Sequence, residues 1–121
     1  MTSRREEYEE LQERLIQFGL SICRALRKLE PDRITDYYVS QLVASCSSPS
    51  GNYSEARSAG SKRDFIHKMQ ICLKELRETD VWLRFMAGLT PLDCRPLRRE
   101  CNELVAIFVA SITTARKKKP E

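Results

Sequence analysis

The single histidine and the five cysteines are the side chains best able to do covalent or metal chemistry in this sequence of 121 residues. A catalytic cysteine needs a nearby base to remove its proton. His67 and Cys72 would point about 140° apart on one helix, so that helix does not pair them. Another cysteine could reach His67 through folding, but a structural or surface histidine is much the commoner case. We therefore predict no catalytic residue and expect a protein that is not an enzyme.

Patterns for metals and cofactors are also missing. The closest cysteines, Cys94 and Cys101, are too far apart for Cys-x-x-Cys, and Asp64 to His67 is a single Asp-x-x-His where metal-binding bundles use paired Glu-x-x-His. There is no glycine-rich phosphate loop and no serine nucleophile elbow. No metal and no cofactor is predicted.

The expected compartment is a reducing cytoplasm, because the cysteine count is odd and no signal peptide pattern opens the chain. The longest apolar run, Leu104 to Ala110, has seven residues. A membrane span needs about 20, so we expect no membrane insertion.

The net charge of +4 is unevenly distributed along the chain. Residues 1–30 are neutral and residues 31–60 carry −1, whereas residues 61–90 carry +2 and residues 91–121 carry +3. Arg116 to Lys119 supply much of the last excess. Such a basic segment can attract nucleic acid or an anionic surface. A solvated helix end, where cations suit the helix dipole, is the alternative.

The spacing of apolar residues in threes and fours predicts helices throughout, with no stretch of strand periodicity. The length predicts one domain over residues 1–121. Ser3 and Ser61 are expected to cap the first and third helices. The predicted helices span about 3–29, 32–58, 61–88 and 94–116, followed by a basic tail over 117–121.

Pro49 predicts a break or kink in the second helix near residues 47–50, since proline removes a hydrogen bond and costs about 3 kcal/mol inside a helix. Short connections favour neighbours that run in opposite directions. The fold class is therefore all-α, an antiparallel up-down-up-down four-helix bundle. The apolar stripes of the first and fourth helices are wide, which indicates neighbours on more than one side, from the bundle or from another subunit.

Two polar groups lie in the middle of the chain. Asn52 and Glu55 flank Tyr53 and share a helix face; they could contact a ligand or subunit, or they could cap and tether the second helix. A local basic cluster surrounds the turn at Ala59-Gly60. Its members are Arg57, Lys62, Arg63 and Lys68. Phosphate binding and simple solvation explain this cluster equally well.

A set of residues in the middle of the chain forms a recognisable pattern. Its members are Gln41-Leu42, Ser45, Ser48, Asn52-Tyr53, Glu55-Ala56-Arg57, Ser61-Lys62 and Asp64 to Lys68, and then Leu73-Lys74-Glu75, Glu78-Thr79 and Trp82-Leu83. This pattern resembles the bacterial four helix bundle protein family. The family is known for members encoded by intervening sequences in the 23S ribosomal RNA gene, and it includes the accessory protein of diversity-generating retroelements.

The resemblance implies an up-down-up-down bundle that assembles into a closed ring of identical subunits, with a homopentamer as the expected form. For the retroelement accessory protein, it implies a basic ring that binds reverse transcriptase and nucleic acid. The family motif in this chain, expected to be structural, comprises Asn52, Tyr53, Glu55, Arg57, Asp64 and His67. The segment Pro49-Ser50-Gly51 departs from the family pattern.

The sequence thus predicts a non-enzymatic, oligomeric helical bundle that acts as a binding or assembly module. RNA or DNA is the preferred partner, with a reverse transcriptase as a further partner if the chain is linked to a retroelement. The candidate phosphate contacts are Arg57, Lys62, Arg63, Arg116, Lys117, Lys118 and Lys119. The alternative is a protein-only scaffold or adaptor ring without a nucleic-acid role.

Overall fold

The computed structural model describes residues 3–118, which form four α-helices and, over that range, no strand. The helices are α1 (Arg4–Leu26), α2 (Arg33–Arg57), α3 (Lys62–Leu89) and α4 (Arg95–Lys117). Each helix begins or ends within three residues of its predicted limit. The predicted all-α four-helix bundle is confirmed.

Short polar side chains start three of the helices. Ser3 accepts from the backbone N–H of Glu6, and Ser61 accepts from that of Asp64, as the sequence predicts. Asp32 caps α2 in the same way, accepting from Thr35 N–H at 2.9 Å. These hydroxyl and carboxylate groups satisfy backbone donors that the first turn of a helix leaves free.

The first helix ends at Leu26, three residues earlier than predicted. The N–H groups of Lys28 and Leu29 bond three residues back, to Ala25 and Leu26, so the chain tightens beyond the helix end. Pro31 keeps the helix from extending through Glu30, because the residue before a proline is pushed away from helical backbone angles.

The predicted break near residues 47–50 is absent, since α2 runs without interruption from Arg33 to Arg57 with Pro49 inside it. The Pro49 ring is almost fully buried, and its carbonyl accepts from the Cys72 thiol of α3 at 3.5 Å. Burial of the ring therefore offsets part of the cost of the lost hydrogen bond. A kink at this point stays a prediction.

The contacts between successive helices show their relative direction: as the residue number increases along one helix, the number of the contacted residue decreases along the next. Gln12 and Gly19 of α1 contact Ser50 and Cys46 of α2. Likewise, Ser45 and Pro49 of α2 meet Thr79 and Cys72 of α3, and Leu76 and Asp80 of α3 meet Cys101 and Arg98 of α4. This is the order that antiparallel neighbours have, and it supports the predicted up-down-up-down direction.

The core follows the spacing of residues in threes and fours from which the helices are predicted. The fully buried side chains of α3 repeat with this spacing: Met69, Cys72, Leu76, Thr79, Leu83 and Met86. Phe108 of α4 packs edge-on against Tyr53 of α2, with ring centroids 5.7 Å apart. Ile16 and Leu20 of α1 and Val109 of α4 stay about 40% exposed in the single chain. The wide stripes of α1 and α4 are thus only partly covered by the bundle.

Candidate nucleic-acid interface

The start of α1, the α2–α3 turn and the end of α4 meet at one end of the bundle, which we call the basic end. It comprises residues 3–7, 55–64 and 116–118. Its cations are Arg4, Arg5, Arg57, Lys62, Arg63, Arg116, Lys117 and Lys118. Tyr8 and Lys118, from opposite ends of the chain, line one cleft of this region together with Lys62 and Arg63.

The net charge of the basic end as defined here equals that of the whole chain, although one of its cations, Arg5, is ion-paired at 3.2 Å with Glu9, just beyond it. The basic end has eight cations and four carboxylates, an excess of four, and the formal net charge of the chain is +4. The remaining residues are therefore neutral in sum. The helix dipoles add little to the charge of this end, because two helices begin there and two end there, so their partial charges cancel. An anion that approaches the molecule is thus drawn to this end.

The predicted phosphate contacts that the structure describes are not engaged with carboxylates. Within residues 3–118, no ion pair involves Arg57, Lys62, Arg63 or Arg116 to Lys118. By contrast, Arg14 binds Glu100 at 2.6 Å and Arg98 binds Asp80 at 2.9 Å, farther along the bundle. An unpaired cation can neutralise a phosphate without first breaking an ion pair.

Three clefts divide these cations into neighbouring groups. Lys62 and Arg63 lie between two of them: a cleft of about 820 Å³ shared with Lys118, and another of about 520 Å³ shared with Arg116 and His67. Arg57 lines the third, of about 400 Å³, together with Arg4 and Arg5. Lys117 is exposed as the last residue of α4, and Lys119 lies outside the described residues.

Arg4 and Arg5 were not among the predicted contacts. Residues 1–30 have no net charge, and this hid the two arginines when charge was counted along the sequence. The signal that could have found them is their position at the start of the first helix. In an up-down-up-down bundle, that start lies beside the end of the second helix and the start of the third.

The family motif residues mostly contact other residues of this chain. Asn52 donates to the Ser48 carbonyl at 3.1 Å, within its own helix, and Glu55 lies 3.9 Å from Lys68 of α3. Tyr53 is buried, and this burial raises its pKa to about 12. The Glu55 contact fits a tether between α2 and α3, whereas the Asn52 bond stays within α2, away from either end of that helix.

Two motif residues face outward as well. The Arg57 guanidinium lies 5.5 Å from the centre of the Tyr8 ring, a cation–π contact that leaves its N–H groups available. His67 is exposed, and Cys72 is completely buried. These two residues therefore do not form a nucleophile–base pair.

The remaining chemistry of the described residues is limited. Burial raises the pKa values of Cys46, Cys72 and Cys101 to about 12, the opposite of what a reactive thiol requires. Among residues 3–118, no group of three or more His, Cys, Asp or Glu side chains is arranged to hold a metal ion. Over the same range, no helix is both long and apolar enough to cross a membrane.

Comparison with known proteins places the chain in one family. A crystal structure of a protein of unknown function from the S23 ribosomal protein family of Bacteroides thetaiotaomicron has the same fold, with a TM-score of 0.77. The two sequences are 24% identical, and the alignment covers 88% of this chain and 97% of the other. A search of curated proteins found no match. The family model described as "23S rRNA-intervening sequence protein" matches residues 6–110, and the chain therefore belongs to the 23S rRNA-intervening sequence protein family.

Proposed function

We propose that this protein is a non-enzymatic, self-assembling bundle that binds nucleic acid through its basic end. The observation that carries the proposal is the coincidence of the entire net charge with a set of unpaired cations at that end. Contacts with phosphate oxygens need only such cations and impose no fixed motif.

Assembly of several copies would strengthen this interaction. The partly exposed apolar side chains on α1 and α4 suit burial between subunits, and the family resemblance suggests five of them. Five copies would bring about 20 excess positive charges together if their basic ends share one face. Several weak phosphate contacts on one assembly then act together, so the avidity exceeds the affinity of a single chain.

The test is a salt titration of binding to a labelled RNA duplex, with two charge-reversal variants of equal net charge. Arg63→Glu/Arg116→Glu removes two unpaired cations from one cleft of the basic end. Lys74→Glu/Arg77→Glu is the matched control, because both residues are exposed on α3, away from that end. The wild type and the control should lose affinity steeply with salt.

The basic-end variant should bind more weakly, with a log–log salt slope reduced by about 1.5 to 2 for two lost phosphate contacts. Binding that does not depend on salt, or equal weakening by both variants, would refute the phosphate mechanism. Size-exclusion chromatography with light scattering tests the assembly. Five chains of 14.0 kDa give about 70 kDa, and a monomer would remove the ring from the proposal.

A protein-only scaffold is the second candidate, and an aromatic cluster at the opposite end of the bundle favours it. The Tyr38 and Phe85 rings stack with centroids 4.7 Å apart beside Trp82, and Tyr37 is 57% exposed. Exposed aromatic groups are enriched at protein interfaces. Charge reversal at Lys117 to Lys119 separates the candidates, since a scaffold would retain its protein partner whereas a nucleic-acid binder would lose affinity.

A further inference from the structure

The cleft of about 820 Å³ at the basic end contains more than positive charge. It lies between the start of α3 and the end of α4, with Tyr8 of α1 contributing to its lining. Two aromatic rings, Tyr8 and Phe65, occur in it beside the cations Lys62, Arg63 and Lys118. The other polar lining residues have hydroxyl groups: Ser61, Ser111 and Thr114. Pockets of about 300–1,000 Å³ are typical for small organic ligands.

Tyr8 is held firmly in the centre of this charged region. It is half-buried, and its ring packs edge-on against the buried ring of Tyr53, with centroids 6.4 Å apart. It lines both the large cleft and the neighbouring one that contains Arg4, Arg5 and Arg57. Proteins that bind single-stranded nucleic acid stack unpaired bases on aromatic rings, while nearby cations contact the phosphate backbone of the strand. Tyr8 and the cations on either side of it have this arrangement.

The α3 side of the cleft is also preorganised. The Lys62 ammonium donates to the carbonyl oxygen of Lys118, which links the start of α3 to the end of α4. Ser61 caps α3 and fixes the first turn, from which Lys62 and Arg63 project. Phe65, one turn on, is half-buried and packs against the core. The aromatic and cationic groups of the cleft therefore stand on ordered helix ends.

We propose that this cleft binds one unpaired nucleotide of a single strand. The base stacks on the face of Tyr8 opposite the Arg57 guanidinium, and Lys62, Arg63 and Lys118 hold the adjoining phosphates. This inference rests on the nucleic-acid binding proposed above and adds a preference for single strands. A duplex keeps its bases stacked inside, so it can contact the cations but cannot place a base in the cleft without paying the cost of unstacking.

The test compares a labelled 12-nucleotide single strand with the duplex of the same length, by fluorescence anisotropy at one salt concentration. Tyr8→Ala should weaken binding of the single strand roughly five- to a hundred-fold and leave duplex binding within about two-fold. Tyr8→Phe retains the ring and should bind like the wild type. Tyr37→Ala, at the other end of the bundle, is the matched control and should change neither affinity.

A second measurement needs no variant. A strand with 2-aminopurine at one position should lose fluorescence when the wild-type protein binds, because the base stacks on an aromatic ring. Unchanged fluorescence at every position tried, or an equal loss of single-strand and duplex binding in Tyr8→Ala, would overturn the stacking site. If the wild type binds neither nucleic acid, the proposed function itself fails.

A titration with adenosine monophosphate alone tests whether the natural ligand of the cleft is a nucleic-acid strand or a free nucleotide. We expect it to bind at least about a hundred-fold more weakly than the strand, because it lacks the neighbouring phosphates and their counterion release. Tighter binding of the mononucleotide than of the strand would overturn the single strand as the natural ligand.

Discussion

Replacing Gly19 by alanine tests how closely α1 and α2 approach each other. A Cβ atom at this position would lie 3.0 Å from the backbone carbonyl oxygen of Cys46 and 3.7 Å from its carbon. These atoms belong to the backbone of α2, so they cannot move aside as the tip of a flexible side chain could. Alanine at residue 19 should therefore push the two helices apart by a few tenths of an ångström.

The expected change in the free energy of unfolding follows from two opposing effects of the substitution. Alanine inside a helix is favoured over glycine by about 1 kcal/mol. Overpacking a tight contact costs about 1–3 kcal/mol. Gly19→Ala should therefore lower the free energy of unfolding by about 0–2 kcal/mol. Gly51→Ala is the matched control, because Gly51 lies inside α2 and its added Cβ would meet nothing within 4 Å.

Urea unfolding followed by far-ultraviolet circular dichroism measures both variants, at one protein concentration because assembly shifts apparent stability. Gly51→Ala should raise the free energy of unfolding by about 1 kcal/mol. The helix preference is common to both substitutions, so their difference, about 1–3 kcal/mol, isolates the contact with Cys46. Equal stabilisation by the two substitutions would refute the close approach.

Two further predictions concern buried polar groups. The hydroxyl groups of Ser45 and Thr79 lie 3.0 Å apart in the core, so Thr79→Val alone should cost about 1–3 kcal/mol. The Ser45 hydroxyl can still donate to the Leu42 carbonyl at 3.3 Å, so Ser45→Ala should cost less in the Thr79→Val background than in the wild type. Strictly additive costs in a double-mutant cycle would show that the two hydroxyls are not coupled. Burial raises the pKa values of Cys72 and Cys101 from 9.0 to about 12. The contribution of these thiols to the free energy of unfolding should therefore be constant below pH 9 and should decrease as the pH rises from 9 to 12, because only the unfolded chain then loses the thiol protons. Each thiol lowers the free energy of unfolding by at most about 1.4 kcal/mol per pH unit in this range. In urea unfolding curves measured between pH 9 and 12, the free energy of unfolding of Cys101→Ala should therefore fall less steeply with pH than that of the wild type. An unchanged dependence on pH would contradict burial of the thiol as the cause.

The helices and most of the core could be predicted from the sequence, because both depend on the local periodicity of apolar residues. The caps Ser3 and Ser61 and the buried series of α3 were all predictable from residue type and spacing. The break at Pro49 was wrong because the cost of a proline in a helix is local, whereas the burial that offsets it depends on α3.

The candidate site was harder to predict because it is assembled from distant segments. The charge of Arg4 and Arg5 is balanced by nearby glutamates along the sequence, and only the fold brings them beside Arg57. Tyr8 is spaced three residues from Leu11 like any other apolar position of α1, and this spacing does not reveal that it lines two clefts. Gly19 carried no sequence signal, because a close approach between helices depends on the partner backbone.

The start of α1 and the end of α4 both lie at the basic end, and this has a practical consequence for handling this protein. Arg4 and Lys118 lie beside the proposed ligand site, so a purification tag, fluorescent protein or surface linker joined just before Arg4 or just after Lys118 would begin at the binding face. A basic tag would add charge there and an acidic tag would mask it. The segments 27–32 and 90–94, at the opposite end of the bundle, offer attachment points that leave this face open.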